Sequence, residues 1–315
     1  MSAKLSVAII ESKKTKSDLP KSPIDAHLRN AYVMRDELGA TILYNRNHLR
    51  ENWDKRFKHI IVSYGTFYAD IVPFLRWMED RKDTANFYFM SNEYNLIPNS
   101  SFYRFLKENN YSVIANHVEK GTSVKEYDKF HTFNLNLLLF NGRNEPTEKK
   151  YDLIYWGSFR PNREVYFKKY FNRNMMLSTS QKNLRKFRAI GCDAIGINKL
   201  DWTKNKETLN LFKYTLYIED VKTHNHYSHL ANRFYEALQC NVLMFFDINT
   251  KKTTELAGLE ISKFYFVENT KELQAKIKIA NKNYQERLDR QAQWIEDALG
   301  QRYDLMNQLK GLFYA

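Results

Sequence analysis

Short apolar runs alternate with stretches of helical periodicity along this chain. Residues 5–10 make an apolar strand, and 23–38 read as a helix with Ser22 as its cap, Pro23 just inside it and Gly39 to stop it. Further strands are predicted at 41–44, 59–63, 86–90 and 111–115, with helices over 67–80 and 100–109. Residues 141–150 are polar, contain Gly142 and Pro146, and read as a linker. The rhythm then restarts, with strands at 151–156, 175–178, 214–218, 241–246 and 264–267 and helices at 163–171 and 231–239. A helical pattern over 271–313 predicts two helices meeting near Gly300. Apolar strands alternating with helices predict parallel sheets covered on both faces. The expected class is α/β, with two Rossmann-like doubly wound domains facing across a cleft. The domains are 1–145 and 146–315, with the final helices free to return to the first. Such sheets bind ligands outside the carboxyl ends of their strands.

Composition narrows the class. The chain has 315 residues, 43% of them hydrophobic, enough to fill real cores and more than one core usually holds. The longest apolar run, 135–140, is far short of the roughly 20 residues a membrane helix needs. The start of the chain lacks the length and small-residue cleavage site of a signal peptide. Cys192 and Cys240 make neither a disulfide framework nor a zinc site. A cytoplasmic protein without a membrane partner is expected. Forty-nine lysines and arginines against 36 acids give a net charge of +13, spread over both halves. That balance suggests a polyanionic partner, nucleic acid first and an acidic membrane surface second.

Several familiar sites are missing. No Gly-x-Gly-x-x-Gly follows the first strand, and Gly191 to Gly196 has P-loop glycine spacing but continues Ile197-Asn198, without Lys-Ser/Thr. Neither Asp-x-Asp nor His-Glu-x-x-His occurs. His224, His226 and His229 stand in a polar stretch with no ligand-spaced cysteines or carboxylates, and read as a loop rather than a metal site.

Two segments carry chemistry. In Trp156-Gly157-Ser158-Phe159-Arg160-Pro161-Asn162-Arg163, a small turn at a strand's end is followed by arginines at a helix start. Backbone N–H groups there suit a phosphate, and Arg160 and Arg163 can reach it as bidentate donors. An ordinary turn with surface arginines reads equally well from this segment alone. In the second, Arg233 and Glu236 stand at i, i+3 on one helical face. The arginine can hold a diphosphate and the glutamate can accept the hydroxyls of a ribose. The bland reading is an exposed intrahelical ion pair. Since each segment follows an apolar strand in the same domain, together they can grip a nucleoside diphosphate.

Arg233-x-x-Glu236 followed by Ala-Leu and a buried strand resembles the nucleotide-sugar site of GT-B glycosyltransferases. Asp152-Leu-Ile-Tyr-Trp-Gly-Ser-Phe-Arg160, the order strand, Asp220, loop, Arg233-x-x-Glu236, strand, and then Phe264-Tyr-Phe-Val-Glu-Asn with its helix, are similar to the T-even phage DNA β-glucosyltransferase family. Asp36-Glu-Leu-Gly-Ala-Thr-Ile-Leu resembles its first helix-to-strand junction. The likeness is thin over most of the chain and specific in the second domain. It implies transfer of a sugar from a UDP-sugar to a hydroxymethylated pyrimidine of duplex DNA, an anti-restriction modification of phage DNA made by a monomer in the host-cell cytoplasm. By the same resemblance Gly157, Ser158, Arg160, Arg163 and Arg233 hold the diphosphate, Glu236 the ribose, and Asp220 lies near the donor sugar. The family's base-contacting aromatic falls near Ser178-Thr179. No protein metal site is implied; Mg2+ or Mn2+ can accompany the donor without tight binding.

Deprotonating the acceptor hydroxyl needs a carboxylate or a histidine. The family's aspartate lies just beyond a first-domain strand, a place taken here by Ser91-Asn92-Glu93. Glu93 is the first expectation for the base and Asp25 the second, with His27 beside it. Tyr94, Phe67 and Tyr68 are candidates to fill the gap left by a flipped base. Two other readings stay open: a GT-B transferase with a glycan, lipid or protein acceptor, and a non-catalytic basic DNA-binding α/β protein. The sugar, the acceptor base and the anomeric outcome also stay open.

Overall fold

Every strand pair among the described residues is parallel, so every connection between paired strands must cross over, and each sheet is largely buried on both faces. The computed structural model describes residues 6–10, 26–43, 50–52, 54–63, 76–91, 101–116, 127–140, 142–200, 208–219 and 230–314. The chain divides into two compact units, Met1–Leu139 with Arg302–Ala315, and Phe140–Gln301.

The first unit holds a six-stranded sheet in the order β2-β1-β3-β4-β5-β6. Its strands are β1 (Val7–Ile10), β2 (Thr41–Leu43), β3 (His59–Ser63), β4 (Asn86–Ser91), β5 (Ser112–Asn116) and β6 (Phe130–Phe133). Helices α1 (Ala26–Leu38) and α2 (Ser101–Glu108) belong to it. Gly39 ends α1 with φ +65°, a conformation glycine adopts without the penalty a Cβ would bring. The central strands are largely apolar because neither of their faces meets solvent: Ala8, Ile9, Ile60, Ile61 and Val62 are all fully buried.

The second unit holds β7 (Tyr151–Trp156), β8 (Met176–Ser178), β9 (Ile195–Ile197), β10 (Phe212–Tyr217), β11 (Leu243–Asp247) and β12 (Phe266–Val267), ordered β12-β11-β10-β7-β8-β9. Numbered within the unit, this is the 3-2-1-4-5-6 order of the doubly wound nucleotide-binding fold, with its switch point between β7 and β10. Its helices are α3 (Glu164–Tyr170), α4 (Gln181–Ala189), α5 (Asn232–Gln239), α6 (Lys251–Leu256) and α7 (Thr270–Asn281). Helix α8 (Tyr284–Tyr314) begins in this unit and ends in the first. There Arg302 donates to Glu37 at 2.7 Å, and Tyr88 Oη donates to the Leu312 carbonyl at 3.0 Å.

Two sequence expectations are corrected. The last two helices meet at Lys282-Asn283 rather than near Gly300, which lies inside α8. Across this junction Asn283 Nδ2 donates to Glu286 Oε2 at 3.2 Å. Gly300 is tolerated because buried Trp294, Ile295, Ala298, Leu305, Met306 and Leu309 keep the helix packed on both sides of it. Helix α4 and strand β9 were not anticipated, since α4 is mostly polar and β9 is only three residues long. The predicted helix over 67–80 is seen only at 76–79, because 67–75 lie outside the described residues. The polar stretch 142–150 straps onto the second unit: Asn144 N–H donates to the Gln239 carbonyl at 2.8 Å, and Thr147 Oγ1 to the Asn210 carbonyl at 3.0 Å.

Candidate active site

The carboxyl ends of β7 and β10 lie side by side at the switch point, and each is followed by residues that turn toward the other. β7 runs into Gly157 and Ser158; β10 runs into Ile218 and Glu219. Gly157 has φ +148°, and a Cβ there would lie 3.0 Å from Arg233 Nη2. Glycine is therefore required twice, by backbone conformation and by the guanidinium pressed against it. Thr179 Oγ1 donates to the Gly157 carbonyl at 2.7 Å, and Gly157 N–H donates to the Ser178 carbonyl at 3.2 Å, so β8 holds the turn in place.

Arg233 comes from the first turn of α5. Its Nε donates to the Trp156 carbonyl at 3.0 Å, its Nη1 donates to Glu219 Oε1 at 3.3 Å and to the Ile218 carbonyl at 3.4 Å, and the guanidinium lies 4.5 Å above the Tyr155 ring. Arg163, at the end of the 3-10 turn Pro161–Arg163, pairs with Glu219 Oε2. One carboxylate, 1% exposed, thus joins two arginines that are 15% and 11% exposed. An arginine stays charged wherever it is placed, so Glu219 is what allows two guanidinium groups to sit together out of water. The cluster retains one net positive charge over two forked donors, a charge pattern suited to a diphosphate.

Glu236 is one turn further along α5 and 3% exposed. It does not pair with Arg233; Trp156 Nε1 donates to its Oε2 at 2.8 Å. The exposed intrahelical ion pair is therefore ruled out, because α5 turns this face onto the sheet end and each residue finds its own partner there. The N–H of Ala231, which precedes α5, donates to Tyr217 Oη at 2.9 Å. Burial, reinforced by Glu219, pushes the Tyr217 phenol well above its ordinary range and keeps it protonated.

Of the residues singled out from sequence, Gly157, Arg163, Arg233 and Glu236 thus meet at one sheet end. Ser158 is half-buried beside Gly157, and Arg160 is exposed, in extended conformation, just before the 3-10 turn. Glu93, Asp25, Asp220, Tyr94, Phe67, Tyr68, His224, His226 and His229 lie outside the described residues, as does the side chain of His27. Ser178 and Thr179 are buried, and their hydroxyls fix neighbouring backbone at the Asn198 and Gly157 carbonyls. Glu219 escaped the sequence reading. Its signal was an acid two residues past an apolar strand, which becomes informative only once β10 is known to neighbour β7. Among the described residues no group of three or more His, Cys, Asp or Glu stands where it could hold a metal ion.

No family model and no curated protein sequence matches the chain. Solved structures do. T4 phage β-glucosyltransferase aligns over 97% of this chain and 98% of its own, with a TM-score of 0.70 and 15% identity. A complex of that T4 enzyme with UDP and Mn2+ aligns over 98% and 99%, at 0.67 and 15%. An α-glucosyltransferase bound to UDP and a 13-mer DNA containing an HMU base aligns over 98% and 99%, at 0.63 and 10%. The chain has the GT-B fold of the phage glucosyltransferases. In a GT-B fold the second unit's switch point is where Arg163, Arg233 and Glu236 have been found, at the end of a nucleotide-binding strand order.

Proposed function

We propose that the protein is a glycosyltransferase that moves a sugar from a UDP-sugar to the hydroxyl of a hydroxymethylated or hydroxylated pyrimidine in duplex DNA. The observation that carries this reading is the convergence of Arg163 and Arg233 on Glu219 beside the Gly157 turn. The acceptor oxygen attacks the anomeric carbon as the bond to the diphosphate oxygen breaks, and UDP leaves with the bonding electron pair. Charge grows on that leaving group, and fixed guanidinium groups in a site shielded from water stabilise it without reorganising. Gly157, Ser158 and Arg160 complete the diphosphate cradle, Glu236 takes the ribose hydroxyls, and Asp220 lies toward the sugar.

Support for the acceptor comes from proteins of the same fold. One is described as a DNA-modifying enzyme with UDP-glucose as its substrate, and α-glucosyltransferase complexes contain UDP or UDP-glucose together with DNA. In this reading the first unit binds DNA, the second binds the donor, and Glu93, ahead of Asp25, takes the proton of the attacking hydroxyl. Glu93 stands two positions past the end of β4 in sequence. The described residues do not form a metal cage, so no step is assigned to a cation; Mg2+ or Mn2+ would enter with the diphosphate. No helix among the described residues is long and apolar enough to cross a membrane, and the enzyme is read as a monomer working on phage DNA in the host-cell cytoplasm.

The test is to incubate the protein with several UDP-sugars and with DNA containing hydroxymethylcytosine or hydroxymethyluracil, and to analyse the digested nucleosides by mass spectrometry. A hexosyl or pentosyl mass added to one modified nucleoside is expected. UDP-sugar turnover on glycans with none on any modified DNA would move the assignment to a glycan-acceptor transferase.

A further inference from the structure

Helix α4 carries four cations, Lys182, Arg185, Lys186 and Arg188, and no acidic residue. Its inner face is apolar. Phe187 is fully buried, with Phe159, Phe167 and Phe171 around it at ring distances of 4.8 to 5.5 Å. Gly196 of β9 comes so close under Leu184 that a Cβ would meet Leu184 Cδ2 at 2.5 Å. Arg188 is used within the unit, donating to the Cys192 carbonyl at 2.9 Å and the Ala194 carbonyl at 2.7 Å. Lys182, Arg185 and Lys186 remain. At 3.6 residues per turn they share an outward arc of about 100°, opposite Leu184 and Phe187. All three are exposed, and they make no hydrogen bond or ion pair with any described residue.

Three lysines on other helices of the second unit have an acid one turn away: Lys168 with Glu164 at 2.6 Å, Lys276 with Glu272 at 2.7 Å, Lys251 with Glu255 at 3.7 Å. Helix α4 does not. Its arrangement opposes its own local stability, because Lys182 meets the positive end of the helix dipole and Lys182 and Lys186 are like charges at i, i+4. A stripe of fixed positive charge with no counter-ion among the described residues suits a polyanion. Its position selects one. Ser180, the N-cap of α4, directly follows Thr179, whose hydroxyl is bonded to the Gly157 carbonyl, so the stripe begins beside the proposed diphosphate turn.

We propose that Lys182, Arg185 and Lys186 form a docking surface for the phosphate backbone of the duplex being modified. This inference rests on the DNA-acceptor reading and adds a part of the second unit to it. Contacts of this kind position the duplex and carry no sequence information, so the surface governs affinity and salt dependence rather than base choice.

The test uses the full-length protein with Lys182, Arg185 and Lys186 all changed to Gln. A control with the same loss of charge changes exposed Lys271, Lys278 and Lys282 to Gln, on and just after α7 at the opposite edge of the sheet. Duplex DNA affinity is measured against salt concentration, alongside UDP affinity and melting temperature. For the α4 variant the log–log salt slope is expected to be shallower by about 2–3 and DNA affinity at fixed salt about 10-fold weaker or more, with UDP affinity and melting temperature held. The control is expected to keep its slope. Equal losses in the two variants, no loss in the α4 variant, or weakened UDP binding in it would overturn the docking surface. If the unsubstituted protein shows no salt-dependent DNA binding, the DNA-acceptor function falls and the surface with it; an α4 variant with unchanged affinity and salt slope removes the surface alone.

Discussion

The indole N–H of Trp156 donates to Glu236 at 2.8 Å across 80 positions of sequence, and both residues are buried. This bond orients the carboxylate proposed to receive the ribose. Trp156→Phe keeps most of the ring volume and removes the donor. Losing a hydrogen bond to a buried charged group costs about 1.5–3 kcal/mol. A lower melting temperature together with weaker UDP binding by calorimetry is expected. Unchanged UDP affinity would separate Glu236 from the donor site.

Arg233→Ala and Glu236→Ala should each weaken UDP binding by about 1.5–3 kcal/mol, since both act on the nucleotide before any chemistry. Calorimetry on the two variants checks this. Wild-type affinity in both would remove the donor-site assignment.

Gly157→Ala tests the turn. The new Cβ meets Arg233 Nη2 at 3.0 Å, on a backbone conformation that alanine resists at a cost of about 1–3 kcal/mol. Both thermal stability and UDP affinity should fall. An alanine variant with wild-type values for both would show that neither the conformation nor the contact matters.

Glu93→Gln should retain UDP and DNA binding while turnover drops roughly 10²–10⁴-fold, the usual contribution of a general base. Steady-state rates on modified DNA decide the point. An active Glu93→Gln beside an inactive Asp25→Asn would reassign the base and leave the donor site untouched.

Acid should loosen the first unit through His59. The ring is buried in β3, 5.5 Å from Phe313 of α8, and burial, followed by the nearby Lys58 charge, lowers its pKa below the ordinary 6.5. The unfolded chain then binds the proton more readily than the folded one. Stability tied to neutral His59 is complete above pH 6.5 and is lost as pH falls from there through the lowered folded value. Denaturant titrations at a series of pH values should show this slope, and His59→Phe should flatten it.

Much of the proposed donor site could be read from residue order. Unbroken apolar runs such as Leu243–Phe246 announce strands buried on both faces, since only a doubly covered sheet hides every side chain. Gly157 with the arginines after it, and Arg233 with Glu236, were recognisable because a turn glycine and an i, i+3 pair are local patterns. Local pattern also misled, at Gly300, where a glycine in an exposed helix interior costs about 1 kcal/mol and long packed faces outweigh it. The cationic face of α4 could be counted in the sequence, but that it has no partner among the described residues could not.

The alternation of strand and helix was therefore enough for the α/β class, and local motifs were enough for the residue types of the proposed diphosphate site. What those residues touch was settled elsewhere. Glu219 lies 56 positions from Arg163 and 14 from Arg233, and it joins them only because β10 pairs in parallel with β7 and brings the two carboxyl ends together. The same pairing turns an apparent Arg233–Glu236 surface pair into two buried contacts with separate partners. Strand order is set by the burial of whole sheets, and no window of sequence short enough to show periodicity contains it.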